Sequence, residues 1–217
     1  MDFRFDIVIE YLPLILEGTL LTIGLSIISI LLGAMLGFVV SLGKMSSKLY
    51  LQWPASLYIN FFRGTPFFVQ ILIIHFGFVP LILGESNGLI AGVLAMTLNS
   101  AAYTAEIYRA GIQSIDKGQS EAAYSLGMTK FQAMRHIVIP QAIRRMIPAF
   151  GNEFIVLVKD SSLLAVISVQ EIMYYSQMMS GQYYAVWEPY LTAALLYFVL
   201  TYVLSKLLYY LERRLVY

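Results

Sequence analysis

Glu153 and Asp160 stand seven residues apart, and two turns of an α-helix bring such a pair back to one face. Two carboxylates side by side in apolar surroundings form a negative pocket suited to a guanidinium or ammonium group. Asn152 and Lys159 share an adjoining face by the same spacing. Asn99, Tyr103 and Glu106, at i, i+4 and i+7, form a polar stripe in another apolar stretch. Arg63 precedes a Gly64-Thr65-Pro66 break, which frees backbone groups and, with Arg63 as counter-charge, can hold a carboxylate. Each group also has a plainer use. Arg63 can pair with Glu106 or Asp160 to assemble a bundle. Lys159 and Asp160 can pair with each other or serve a gate, and this role is preferred over direct ligand contact for those two. Glu106 can pair with Arg109 at i+3. His75 and His136 are too far apart in the chain for a readable metal site, and no cofactor is implied.

These residues lie in a chain of 217 residues, 59% hydrophobic and 12% charged, with a mean hydropathy of +0.73. A soluble domain carries about 25% charged residues, so this composition suits lipid as solvent. The net charge of +1 gives no reason to expect a nucleic-acid partner, and with no Cys there is neither a disulfide framework nor thiolate chemistry. No Gly-x-x-x-x-Gly-Lys-Ser/Thr run is present, so the chain is not expected to hydrolyse ATP or to act as an enzyme. The opening MDFRFDIVIE is acidic and amphipathic, unlike a cleaved signal peptide. One all-α domain is expected.

A spanning helix needs about 20 mostly apolar residues. Five stretches qualify, over about 20–42, 57–83 (interrupted by the break at Arg63 to Pro66), 89–108, 147–169 and 190–210. Arg63, Glu106, Glu153, Lys159 and Asp160 fall inside them, where each charge costs at least about 2.5–3.5 kcal/mol and must face the bundle interior, a partner or water. Eleven of the 14 Lys and Arg residues lie after the first span, in the loop between the third and fourth, and at the C-terminal end. The loops on the other side carry Glu85, Glu171 and Glu188 and no Lys or Arg. The bias predicts the N-terminus outside and the C-terminus in the cytoplasm. The outer segment from about Met173 to Pro189, rich in Tyr, Trp, Gln and Ser, can include a short interfacial helix. Gly33-x-x-x-Gly37 permits close helix packing, either within one subunit or at a dimer seam.

The polar segment between about residues 110 and 146 reads as helix, glycine turn, helix. Asp116 and Thr129 supply caps, Gly127 can end the first helix in a left-handed conformation, and Pro140 marks a helix boundary. Glu121-Ala122-Ala123, Gly127 and Ile137-x-Ile139-Pro140 match the EAA loop of ABC importer permeases, with Ile139 where that family usually has Leu. A surface-lying amphipathic helix is the plainer alternative. Phe61-Phe62-Arg63-Gly64-Thr65-Pro66, the run from Tyr103 to Ile112, Gly118-Gln119 and Lys159-Asp160-Ser161-Ser162-Leu163 extend the resemblance, over nearly the whole chain, to the permeases for polar amino acids.

The resemblance implies the type I importer permease fold with five spans in a bacterial cell membrane, an external segment 1–19, a membrane domain 20–211 and a cytoplasmic tail 212–217. It also implies a second permease subunit, expected to be a copy of this chain, an external substrate-binding protein, and two ATPase subunits that bind the ATP and Mg. Glu121, Ala122, Ala123, Tyr124 and Gly127 are then expected to dock the ATPase, the two alanines offering a small-residue face. Glu153, Asp160, Arg63, Thr65, Asn99, Tyr103 and Ser161 are expected at the substrate, a polar and most readily basic amino acid (arginine, lysine or histidine). Glutamine, glutamate or another polar amino acid is the alternative within the family. An ion-coupled carrier acting alone and a membrane enzyme are the readings outside it. Five spans and a capped docking loop fit the carrier poorly, and no nucleophile–base pair supports the enzyme.

Overall fold

The computed structural model describes residues 3–215, all helical apart from short connections. α1 (Phe5–Lys44) is followed by α2 (Leu49–Gly64), α3 (Phe67–Leu83), α4 (Gly88–Gln113), α5 (Lys117–Ser125), α6 (Lys130–Ala133), α7 (Ile139–Asp160), α8 (Ile172–Tyr183) and α9 (Trp187–Leu215). Three helices, α1, α4 and α9, are long and apolar enough to cross a membrane, and α2 with α3 make a fourth if that bent pair counts as one span. α7 has 22 residues, enough to cross, but its charges (Arg144, Arg145, Glu153, Lys159 and Asp160) keep it from reading as an apolar span.

Two expected helix ends are corrected. Residues from Phe5 onward belong to α1, so the helix begins well before the expected start at residue 20. Ile7, Tyr11 and Ile15 are buried against Ile172, Tyr175 and Met179 of α8 and Ala193 of α9. At 40 residues α1 is about 60 Å long, roughly twice the hydrocarbon thickness. The break expected within 57–83 is present, and α2 and α3 meet there at 108°. Proline disfavours a helical residue before it, and Thr65 accordingly sits extended at φ −116°, ψ 148°. The expected fourth span ends early: α7 stops at Asp160 and a 3₁₀ turn runs over Ser161–Ile167. The tail from residue 212 continues α9 as far as Leu215. Residues 1–2 and 216–217, the outer ends of the two terminal segments, lie outside the described residues.

The most extensive helix pairing joins α1 to α4. A Cβ on Gly37 would stand 2.1 Å from Thr104 Oγ1 and 2.7 Å from the Ala101 carbonyl, and one on Gly33 would stand 2.9 Å from Ser100 Cβ. Small side chains thus bring the two backbones together, and Thr104 Oγ1 donates across the seam to the Gly33 carbonyl at 3.0 Å. The Gly33-x-x-x-Gly37 pattern therefore packs within the subunit.

Two π-helical turns, Ile73–Phe78 and Met134–Val138, each end two residues before a proline, Pro80 and Pro140. Proline's ring presses on the carbonyl four residues back and its missing N–H breaks the ladder. The wider turn absorbs both effects, as Val79 N–H bonds to the Ile74 carbonyl and Ile139 N–H to that of Met134. Pro140 accordingly lies in the first turn of α7, at the helix boundary expected there. The short helix expected after Met173 is present as α8, whose Ile172 and Met179 are fully buried, so it is packed into the bundle. Glu171 caps it, accepting from Tyr174 N–H at 2.7 Å, and its other oxygen accepts from Tyr197 Oη at 2.5 Å.

Candidate functional site

α2, the start of α3, α4 and α7 enclose an open cavity of about 870 Å³. Arg63, Thr65, Asn99, Tyr103, Glu153 and Asp160 all line it, joined by Glu106 and Asn152. Ser161 does not. Its side chain is fully buried and donates to the Val158 carbonyl at 2.9 Å, as the first residue of the 3₁₀ turn. The helical period of α7 places Glu153 and Asp160 on the cavity side, while Lys159 points away and is exposed.

Charge in the cavity is unevenly matched. Glu106 accepts from Arg109 Nε at 3.0 Å and Nη2 at 2.6 Å, the i+3 pairing expected from spacing. Arg63 Nη1 approaches Glu106 only to 3.9 Å, and its guanidinium lies 5.3 Å from the Tyr103 ring centre. Among the described residues no cation stands within 4.0 Å of Glu153 or Asp160. Glu153 is only 8% exposed. A carboxylate desolvated without a partner is costly, so the wall formed by Glu153 and Asp160 favours a cation arriving in the cavity. Arg63, with its side chain 43% exposed, supplies positive charge from α2.

Thr65 and Asn99 are engaged by a residue that spacing did not single out. Gln70, 3% exposed, donates through Nε2 to the Phe62 carbonyl at 2.8 Å, the Thr65 carbonyl at 3.1 Å and Thr65 Oγ1 at 2.8 Å. Asn99 Nδ2 donates to Gln70 Oε1 at 2.8 Å and to the Phe62 carbonyl at 3.4 Å, and Thr65 Oγ1 donates to the Phe61 carbonyl at 2.8 Å. The Gly-Thr-Pro break leaves carbonyls without helical partners, and a buried polar group left unpaired costs about 1–3 kcal/mol. These side chains satisfy them. The signal in the sequence was a lone amide inside the apolar run Phe67 to Ile74.

Toward the cavity end formed by Ser114, Arg145 and Met146, Arg145 donates to the Ser114 carbonyl, and Met146 packs where a Cβ on Gly111 would stand. Beyond it lies the loop of α5 and α6. Asp116 caps α5 by accepting from Gly118 N–H at 2.7 Å. Thr129 and Gln132 form a reciprocal capping box on α6. Gly127 sits at φ +82°, with its N–H on the Tyr124 carbonyl at 2.9 Å and the Met128 N–H on that of Ala123 at 3.1 Å, a Schellman ending. Glu121, Ala122 and Tyr124 are exposed, whereas Ala123 is 3% exposed. The expectation that both alanines offer a docking face is corrected: Ala123 is turned into its own subunit, and only Ala122 is open. Tyr124 with Leu126 (80% exposed) and Phe131 instead give this loop an apolar surface.

Residues 29–217 match the family model for the binding-protein-dependent transport system inner membrane component. The chain belongs to that family. The arginine transport system permease protein ArtQ of Bacillus subtilis (strain 168) is 39% identical to this permease over 99% of the present chain and 98% of its own. The putative glutamine transport system permease protein GlnP of Rickettsia typhi (strain ATCC VR-144 / Wilmington) is 38% identical over 93% of both chains. A crystal structure of an amino acid ABC transporter with histidines contains a chain 43% identical to the permease, superposing with a TM-score of 0.93 over 99% of this chain and 100% of that one. The permease is thus an all-helical inner-membrane protein with the fold of an ABC importer permease.

Proposed function

We propose that this permease is the membrane-spanning subunit of an ATP-driven importer for amino acids, with basic ones as its preferred cargo. The observation that carries this reading is the pair of carboxylates, Glu153 and Asp160, which line the cavity together with Arg63 and have no cation within 4.0 Å among the described residues. A basic amino acid has the complementary pattern, with a cationic side chain for the two carboxylates and an α-carboxylate for Arg63. The arginine permease relative and the transporter crystallised with histidines support the same choice. The glutamine permease relatives support glutamine as the second reading.

In this proposal five crossings are made by α1, the bent pair of α2 and α3, α4, α7 and α9, with the N-terminus outside and the C-terminus in the cytoplasm. Two copies of the chain pair around a central path, and an external binding protein delivers the cargo. Two ATPase subunits, carrying the ATP and Mg, dock on the loop through Glu121, Ala122, Tyr124 and the Gly127 turn, so that ATPase closure moves a rigid capped element joined directly to α7.

The test is competitive uptake into vesicles holding the permease, its partner ATPase and the binding protein. Arginine uptake, with unlabelled glutamine in tenfold excess failing to compete, is the expected result. Equal competition by glutamine would reject the basic preference.

A further inference from the structure

The cavity's two charge-bearing walls are built differently. Glu153 and Asp160 sit on one continuous helix, α7, whereas Arg63 sits in the last turn of α2, one residue before the chain turns through 108° into α3. Where Arg63 stands relative to α7 therefore depends on the angle of that elbow. The α2 arm is tied to α4 by Tyr58 Oη on the Leu98 carbonyl at 2.7 Å, and the α3 arm is anchored by buried Ile71 and Ile74. At the corner itself, between Gly64 and Phe67, no backbone ladder runs from one helix to the other. Proline supplies no donor there, and the backbone bonds at the start of α3 all close onto the Pro66 carbonyl.

We infer that Gln70 is a positioning residue that locks the α2–α3 elbow and so fixes Arg63 and the Asn99 amide in the cavity. Its amide crosses the corner: Nε2 takes carbonyls on both sides of the break, Phe62 on α2 and Thr65 at the turn, while Oε1 accepts from Asn99 on α4. Gln70 itself is 3% exposed and does not line the cavity, so it acts through its neighbours. Because Nε2 donates to both carbonyls while Oε1 accepts from the Asn99 amide, the arrangement demands a neutral group that both donates and accepts. Glutamate has the size of glutamine and lacks the donors, and leucine lacks both functions.

The inference rests on the proposed amino-acid cavity for its effect on ligand, and on geometry alone for its effect on the elbow, so the two are measured separately. The chain has no Cys, so spin labels can be placed on single cysteines at Leu57 and Ile82, exposed positions on the two arms. In permease–ATPase complexes in lipid nanodiscs, the distance distribution between them should be narrow for the parent and broadened or displaced in both Gln70→Leu and Gln70→Glu. The same complexes, titrated with L-arginine in a calorimeter, should bind about tenfold more weakly, the loss expected for one charge-assisted contact put out of place. Unchanged distances in both variants overturn the inference. So does a complex that no longer copurifies with its ATPase, which would make Gln70 a folding residue. A parent complex with no affinity for arginine counts against the proposed cargo and leaves the distance result to decide the elbow.

Discussion

Glu153 carries the most weight at the scale of single residues. It is buried, lies on the same helical stripe as Asp160, and has no cation within 4.0 Å among the described residues. Glu153→Gln keeps the shape and removes the charge, and arginine affinity is expected to fall about 10- to 100-fold, the worth of a hydrogen-bonded charge. Titration of the purified complex measures this. Ser161→Ala is the matching control. The Ser161 hydroxyl faces the Val158 carbonyl rather than the cavity, so arginine affinity should stay within about twofold of the parent, since a change that touches no ligand alters binding by a few tenths of a kcal/mol. Spacing alone made the α7 pair legible, because seven residues return to one helical face whatever surrounds them. It could not make Ser161 legible, because the switch from α-helix to 3₁₀ turn at that residue rotates the face that the α-helical period predicts. Gln70 escaped notice for a related reason. Its partners are backbone carbonyls freed by a bend, and a bend of 108° is not written in periodicity.

At the scale of elements, the proposed docking loop and the α1–α4 seam make different demands on glycine. Gly127 holds φ +82° and donates its N–H to the Tyr124 carbonyl. Gly127→Pro would force φ toward −65° and remove that donor. It is expected to leave the thermal stability of the spans intact while ATP hydrolysis by the complex no longer drives uptake. Measuring both rates in one vesicle preparation shows whether they separate. Gly37 has an ordinary backbone conformation but no room, with the Ala101 carbonyl 2.7 Å from where a Cβ would lie. Gly37→Val should lower the stability of the folded permease by about 1–3 kcal/mol or more, the usual range for overpacking, visible as a reduced midpoint of thermal unfolding in detergent. The caps of the loop were legible in the sequence, since Asp116, Thr129 with Gln132, and Gly127 act on neighbours within three or four residues. The inward turn of Ala123 was not, because it follows from contact with residues far along the chain.

For the whole molecule, the apolar stretches, the charge asymmetry and the resemblance together pointed to the fold that the family match and the 0.93 superposition bear out. Element ends were less legible. α1 runs through the stretch expected to precede it, and α7 begins eight residues before the expected fourth span, because lipid and protein interior both accept apolar helix and hydropathy does not tell them apart. The orientation proposed from Lys and Arg placement expects a cysteine at Glu85 to react with a membrane-impermeant maleimide from outside intact cells and one at Lys130 to react only after the membrane is opened. Above all, the proposed importer takes its cargo through the 870 Å³ cavity and draws the work from a partner ATPase. The most direct measurement is arginine accumulation in sealed liposomes supplied with the binding protein, with and without the partner ATPase and ATP. Accumulation against a gradient only when both ATPase and ATP are present is the expected result, and uphill accumulation by the permease without the ATPase would contradict it.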